Sequence, residues 1–234
     1  MSKVRIFALG GLDEDGKNMY VIENNKDIFV LECGLKYPDG EQFGVSMIIP
    51  DFTYLKENEK RIKGIFITHG HEDVMAALPN LLKEIPNVPV YMAPFTALMF
   101  ERKAKKAGLK DLNIHRIRRN SEFKIGSTQI RTFGTTQSIA DGFGVAIKTA
   151  DGYIVYSSEF IVDGCQSPSR PIFNSPADCT SFKDVSSDLD EHPARVASNA
   201  ALNTALDTFF MFVPPFIFFL PVLKILLYVP SLDF

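Results

Sequence analysis

Short β-rich runs separated by turn residues extend from residue 4 to about residue 163, and this alternation most constrains the fold. The segment MYVIENNKDIFVLECG has the pattern of a hairpin with its turn at residues 24–27, and GIFITHG and VPVYMA resemble buried strands. GVAIKTA and GYIVYSS flank Asp151-Gly152, which is a strong hairpin signal. This part of the chain is therefore expected to be rich in β-structure.

One segment, FTALMFERKAKKAG, has the periodicity of an amphipathic helix. Phe95, Leu98 and Met99 form its apolar side, basic residues form the other, and Gly108 is a C-terminal stop signal. Strands with intervening helices predict a layered α/β or α+β domain, with a mixed β-sheet flanked by helices, over residues 1–163.

The character of the sequence changes after residue 163. Residues 164–208 are rich in Ser, Pro and Asp without periodicity, which predicts a disordered linker. Residues 209–234 are mostly apolar and long enough for a membrane span of ~20 residues, but Pro214, Pro215 and Pro221 disfavour a helix. Three alternatives follow for this tail: a membrane-spanning helix, a buried or partner-covered segment, and a non-native sequence.

The composition argues for a globular protein without a generally basic surface. The chain is 46% hydrophobic and 23% charged, with a net charge of −3 and a pI of about 5.8. Its three cysteines form no CxxC pair, and the N-terminus lacks the pattern of a secretory signal. We therefore expect a cytoplasmic protein.

The motif THGHED follows directly on a predicted strand. His69 and His71 stand two residues apart, so two neutral imidazoles can share one metal ion, and Asp73 adds an oxygen ligand or orients a metal-bound water. A catalytic zinc site needs three protein ligands, and the remaining histidines lie at no obvious strand end. Glu32 and Glu159 end predicted strands, and each is either a further ligand or an ordinary solvated acid. The motif indicates descent from a metal site.

Four segments resemble the ribonuclease J family, nucleases with a metallo-β-lactamase fold and a β-CASP insertion. They are FALGGLDEDGKNMYVIE, GLKYPDGEQFGVSMIIPDFTYL, IKGIFITHGHED and FGTTQSIADGFGVAIKTADGYIVYSSEF. The resemblance covers about residues 4–163 and is strongest to the second, weakly active paralogue of bacteria that have two such enzymes. It implies a partial metallo-β-lactamase fold and a role in RNA processing and decay, through exonuclease and endonuclease activities that use two zinc ions.

Several metal-binding positions of that family carry other residues in this chain. The family's HxHxDH motif falls on His69, His71, Asp73 and Val74, so its last histidine is a valine, and the distal histidine falls on Gln137. The family's bridging aspartate falls on Glu159, and its supporting aspartate falls on Glu32.

These changes weaken a two-zinc centre for physical reasons. Val74 has no lone pair, Gln137 offers at best a neutral amide oxygen, and Glu159 places its carboxylate one methylene further out. At most one weakly held zinc ion is expected, with a metal-free site as the alternative. The candidate ligands are His69, His71, Asp73, Glu159 and Gln137, with Asp73 and Glu159 also the candidate catalytic groups.

The resemblance leads to one favoured function and two alternatives. The favoured one is a weakly active or non-catalytic partner of an active ribonuclease J paralogue, in a hetero-oligomer that acts on RNA. The alternatives are an active metal-dependent hydrolase of RNA or of another substrate, and a membrane-tethered fragment. Nothing after residue 163 resembles the rest of the family, so truncation or a shifted reading frame is hypothesised.

Basic residues cluster between residues 101 and 120, and two interpretations apply. A solvated helix face is one, and a patch that contacts phosphates or a partner is the other. The candidate RNA-binding residues, called the basic patch below, are Lys105, Lys106, Arg116, Arg118 and Arg119.

Overall fold

The computed structural model describes residues 3–38, 40, 42–160 and 223–230. The strands are β1 (Val4–Gly10), β2 (Met19–Asn24), β3 (Asp27–Leu31), β4 (Ile62–Ile67), β5 (Val90–Met92), β6 (Ile114–Arg116), β7 (Glu122–Ile125), β8 (Thr128–Gly134), β9 (Phe143–Lys148), β10 (Gly152–Phe160) and β11 (Leu223–Pro230). The helices are α1 (Thr53–Glu57), α2 (Glu72–Met75), α3 (Leu78–Glu84) and α4 (Pro94–Lys106), with a 3-10 turn at Glu59–Arg61.

Two β-sheets are formed. The first has the order β1-β2-β3-β4-β5-β6, with antiparallel pairing from β1 to β3 and parallel pairing from β3 to β6. The second has the order β11-β10-β9-β8-β7 and is antiparallel throughout. The predicted hairpin turns lie between β2 and β3 and between β9 and β10.

The first sheet is buried on both faces because apolar side chains alternate across its central strands. In β3, Ile28 and Val30 belong to one core and Phe29 and Leu31 to the other. The first core lies between this sheet and the helices, and the second joins it to inward residues of β8, β9 and β10, such as Val145. The layers therefore run helix, sheet, sheet.

The predicted fold class is confirmed, with one difference in layering. The mixed sheet and the flanking helices are present, but the helices described here cover one face of the first sheet, and the second sheet covers the other. The predicted amphipathic helix is α4, which ends at Lys106 shortly before Gly108, whose φ of 78° suits glycine. Its predicted apolar side is wrong, because Phe95 and Leu98 are exposed. The buried side consists of Thr96, Ala97, Phe100 and Ala104.

The predicted linker of residues 164–208 lies outside the described residues, as does most of the apolar tail. The described part of that tail is β11, which pairs antiparallel with β10 so that Leu223 stands opposite Phe160. Among the residues that the structure describes, no helix is long and apolar enough to cross a membrane.

Candidate functional site

The loop after β4 carries the histidine motif and is anchored to its neighbours through backbone hydrogen bonds. The amide of Cys33 donates to the carbonyl of Val74 at 2.8 Å, and the amide of Asn18 donates to the carbonyl of Asp73 at 3.1 Å. Gly34 lies so close beneath this loop that a Cβ there would be 1.5 Å from the carbonyl oxygen of Asp73. The loop position is therefore set by main-chain contacts.

The two histidines of the motif contact each other directly. His69 is buried, and its Nε2 lies 3.1 Å from Nδ1 of the half-buried His71. The other nitrogen of each ring also has a partner, since His69 Nδ1 lies 3.0 Å from the Thr68 hydroxyl and His71 Nε2 lies 3.2 Å from the Ser138 hydroxyl. The histidines thus belong to a chain of polar contacts.

Gln137, which the resemblance predicts at the position of the family's distal histidine, lies beside this histidine pair. Its Oε1 accepts a hydrogen bond from the amide of Ser138 at 3.0 Å, and its Nε2 donates to the carbonyl of Glu159 at 3.2 Å. Nε2 also lies 3.4 Å from His69 Nε2. The N–H of Ser138 requires the amide oxygen and the carbonyl of Glu159 requires the NH₂ group, so the orientation of the amide is fixed. The NH₂ group therefore faces the imidazole of His69.

A second amide, that of Asn18, lies against the two carboxylates of the predicted site. Its Nδ2 donates to Asp73 Oδ2 at 3.0 Å and to Glu159 Oε1 at 3.4 Å. Asn18 is fully buried at the start of β2. Asp73 and Glu159 are therefore brought to the same side chain, as the prediction requires of neighbouring ligands.

Beneath the histidines lies a buried hydroxyl and carboxylate cluster. Oε1 of Glu32 accepts hydrogen bonds from Ser158 at 2.5 Å and from Thr68 at 2.9 Å, and all three residues are fully buried. Glu32 and Ser158 both have left-handed backbone conformations, with φ of 67° and 61°. Such conformations cost of order 1–3 kcal/mol and concentrate at functional sites.

The pKa values of two nearby tyrosines are also raised. Burial, followed by the charge of Glu32, raises the pKa of Tyr20 and that of Tyr156. Burial likewise raises the pKa of the Cys33 thiol, which keeps it protonated and unreactive. The hydroxyl and thiol groups closest to the site are therefore neutral at physiological pH.

Val74, which the resemblance predicts at the position of the last histidine of the family's HxHxDH motif, is fully buried and belongs to the core between the first sheet and the helices. Its surroundings there include Met75 and Cys33. This position is thus part of the apolar interior.

The fit of these residues to zinc can be tested on the geometry. Two imidazole nitrogens on one tetrahedral zinc are about 3.3 Å apart, so the 3.1 Å between His69 and His71 suits a shared ion. Gln137, however, presents N–H groups, which cannot coordinate a metal. Within residues 3–160, apart from positions 39 and 41, no group of three or more His, Cys, Asp and Glu side chains is arranged to hold a metal ion. The described residues therefore do not fit a two-zinc centre.

The basic patch lies along the C-terminal part of α4 and the segment around β6. Most of its side chains are exposed, but Arg116 is paired with Glu101 at 2.6 Å. Lys103, which precedes the patch on α4, pairs with Glu72, next to His71, and Arg119 of the patch lies beside Gly134 at the end of β8. Hydrogen bonds from Lys103 and Tyr37 lower the pKa of Glu72.

Four further residues complete the site, and the sequence pattern did not single them out: Asn18, Thr68, Ser138 and Ser158. Thr68 and Ser138 are direct neighbours of predicted residues, which is the signal that would have found them. Asn18 stands directly before a predicted strand, where no pattern marks it.

This fold and site define the class of the protein. Residues 12–148 match the family model of the Metallo-beta-lactamase superfamily, and the chain belongs to this superfamily. Its members normally use zinc. A protein of unknown function from Enterococcus faecalis has the same fold, with a TM-score of 0.54 at 13% identity over 69% of this chain and 44% of that one.

Among curated proteins, the chain is similar to those named Ribonuclease J 2. It is 39% identical over 166 residues to the protein from Streptococcus pyogenes serotype M3, covering 70% of this chain and 30% of the relative. It is 37% identical over 161 residues to that of Staphylococcus aureus strain MRSA252, covering 68% and 29%. The predicted resemblance to the ribonuclease J family over the N-terminal part is confirmed. The chain spans about 30% of the length of these relatives.

Proposed function

We propose that the protein acts in RNA processing and decay as a ribonuclease J-like protein with a degenerate metal site. It binds RNA and is weakly active or non-catalytic on its own, as the partner of an active paralogue in a hetero-oligomer. The relatives named Ribonuclease J 2 support the substrate class. The observation that carries the degenerate site is Gln137, whose amide faces His69 with its donor end.

The site chemistry supports weak or absent hydrolysis. A metal-dependent hydrolase of this class needs an ion that lowers the pKa of a bound water, and three protein ligands to hold it. Here His69 and His71 have no third ligand in Gln137, and Val74 is part of the core. Purified chain is therefore expected to cleave RNA far more slowly than its active paralogue.

The basic patch supports RNA binding because it is mostly exposed and reaches the end of β8. Lys105, Lys106 and Arg118 are exposed, whereas Arg116 is occupied by Glu101. Each phosphate that such residues neutralise on a single strand adds about 0.7 to the slope of log affinity against log salt concentration. RNA held along this patch would reach the histidine loop through the end of β8.

The test is RNA binding by the full chain as a function of salt. Replacing Lys105, Lys106 and Arg118 together with glutamine should weaken binding to a single-stranded RNA and lower the salt slope by up to about 2. A control removes the same charge at three exposed lysines elsewhere on the surface: Lys26, Lys60 and Lys83. Equal effects of the two triple variants would contradict the assignment of the patch.

The partner role is tested separately, by mixing the chain with the active ribonuclease J of the same organism. Size-exclusion chromatography with mass measurement is expected to show a complex that contains both chains. Two separate species at micromolar concentrations would refute the partner role and leave the RNA-binding proposal standing.

A further inference from the structure

The histidine pair belongs to a chain of hydrogen bonds whose direction can be assigned from its buried end. The Thr68 hydroxyl lies 2.9 Å from Glu32 Oε1 and 2.8 Å from the Ser158 hydroxyl, which itself donates to Glu32, so the Thr68 hydrogen is directed to this buried pair of oxygens. Toward His69 Nδ1, at 3.0 Å, the Thr68 oxygen must therefore accept. It follows that Nδ1 of His69 carries a hydrogen and that Nε2 of the neutral ring is bare.

The hydrogen bonds from His69 outward to the surface take their directions from this bare nitrogen. Bare Nε2 of His69 lies 3.4 Å from the NH₂ group of Gln137 and 3.1 Å from His71 Nδ1, so both neighbours donate to it. His71 then carries its hydrogen on Nδ1, and its bare Nε2 accepts from the Ser138 hydroxyl at 3.2 Å. Every contact in this series, from His69 through His71 to Ser138, has one donor and one acceptor.

We propose that Gln137 closes this site as a metal-free hydrogen-bond network, and that this residue is what keeps zinc out of it. Its amide is locked by Ser138 and Glu159 so that N–H, rather than oxygen, meets His69. The two nitrogens spaced for a shared ion are joined to each other through the hydrogen on His71 Nδ1. An ion could enter only if that hydrogen moved and the glutamine withdrew.

This assignment rests on the proposed function, and it attributes the absence of zinc binding to one residue, Gln137. Replacing Gln137 with histidine removes the amide donor and adds a third imidazole beside a pair that already has the spacing for one zinc ion. The substitution should therefore convert a metal-free network into a three-histidine site.

The test is a titration of the full chain with zinc alone against a chromophoric chelator. Gln137→His should bind zinc at least about 100-fold more tightly than the unchanged chain, because a direct ligand should contribute at least as much as the roughly 10–100-fold that a hydrogen-bond partner of a ligand contributes. Gln129→His, at a half-buried glutamine of β8 that bonds to Glu122 away from the histidines, is the matched control and should bind no more tightly than the unchanged chain. Equal zinc affinity in the unchanged chain and in Gln137→His, or the same gain in the control, overturns the role assigned to Gln137.

A second measurement needs no variant and holds even if the substituted chain does not fold. Nitrogen-15 spectra of the histidines in the unchanged chain should show His69 and His71 both protonated on Nδ1, and added zinc should leave these signals in place. Protonation of either ring on Nε2 alone, or displacement of the signals by stoichiometric zinc, overturns the network. Because zinc is measured without RNA, failure here is distinct from failure of the RNA-binding proposal.

Discussion

Replacing Gly34 with alanine tests whether the loop that carries Asp73 is positioned by backbone packing. A Cβ on Gly34 would lie 1.5 Å from the carbonyl oxygen of Asp73, 2.1 Å from its carbonyl carbon and 2.8 Å from the amide nitrogen of Val74. These atoms belong to the backbone, so no side-chain rotation relieves the overlap. The loop itself has to move.

The cost follows from the hydrogen bonds that this movement breaks. Ordinary contact begins at 3.4 Å, so the carbonyl of Asp73 must retreat by almost 2 Å. That displacement removes three backbone bonds, which join Asn18 to Asp73, Cys33 to Val74, and Leu35 to Glu72 at 2.8–3.1 Å. At about 1 kcal/mol for each bond, Gly34→Ala should lower the free energy of unfolding by about 3 kcal/mol.

Urea unfolding followed by circular dichroism measures this loss, and the chain offers a matched glycine. Gly40 has no atom within 4 Å of an added Cβ, so Gly40→Ala should change stability by less than about 0.5 kcal/mol. If Gly34→Ala cost less than about 1 kcal/mol, the backbone packing described here would not be what holds the loop.

Two further substitutions give separate expectations. Val74→His buries an imidazole in the apolar core, so it should lower the free energy of unfolding by about 2 kcal/mol, and a zinc-induced rise in its urea midpoint would contradict the placement of this residue. Hydrogen bonds from the Tyr54 hydroxyl and Arg61 lower the pKa of the buried Glu23 below its ordinary 4.5. The ionised carboxylate therefore stabilises the folded state above pH 4.5, and this contribution is lost as the pH falls through the lowered pKa. Glu23→Gln should therefore lower the free energy of unfolding by about 2 kcal/mol at pH 7, and the difference should vanish in acid. The control Glu122→Gln, on the surface, should change it by less than about 0.5 kcal/mol. A loss for Glu23→Gln that does not depend on pH would refute this expectation.

Much of the fold could be predicted because its signals are local. Short apolar runs bounded by turn residues predicted the strands, and the helix α4 was predicted with the wrong buried side, since Phe95 and Leu98 are exposed and Phe100 is buried. The face-to-face packing of the two sheets was not predictable, since the alternation in β3 between Val30 and Leu31 is compatible with helices on both sides.

The sequence singled out some residues of the candidate site, but it missed Asn18, Thr68, Ser138 and Ser158 and all of the contacts. His69, Asp73 and Glu159 were identified from the motif and the resemblance, and they do lie in one connected group. The left-handed backbone of Glu32 and Ser158 has no local signal, because neither residue type favours positive φ. The orientation of an amide depends on partners that are remote in the chain, which a linear sequence does not specify.

The backbone contacts also explain how ligand residues can change while the fold stays recognisable. Main-chain hydrogen bonds tie the segment after β3 to α2 and to the start of β2, and none of them passes through a metal-binding side chain. A valine at position 74 and a glutamine at position 137 therefore leave the bonds that place the loops intact. Gln137 goes further, because its own amide bridges two backbone groups, the amide of Ser138 and the carbonyl of Glu159. A scaffold held in this way does not need zinc to position its histidines, so the metal-free site proposed above is physically compatible with this fold.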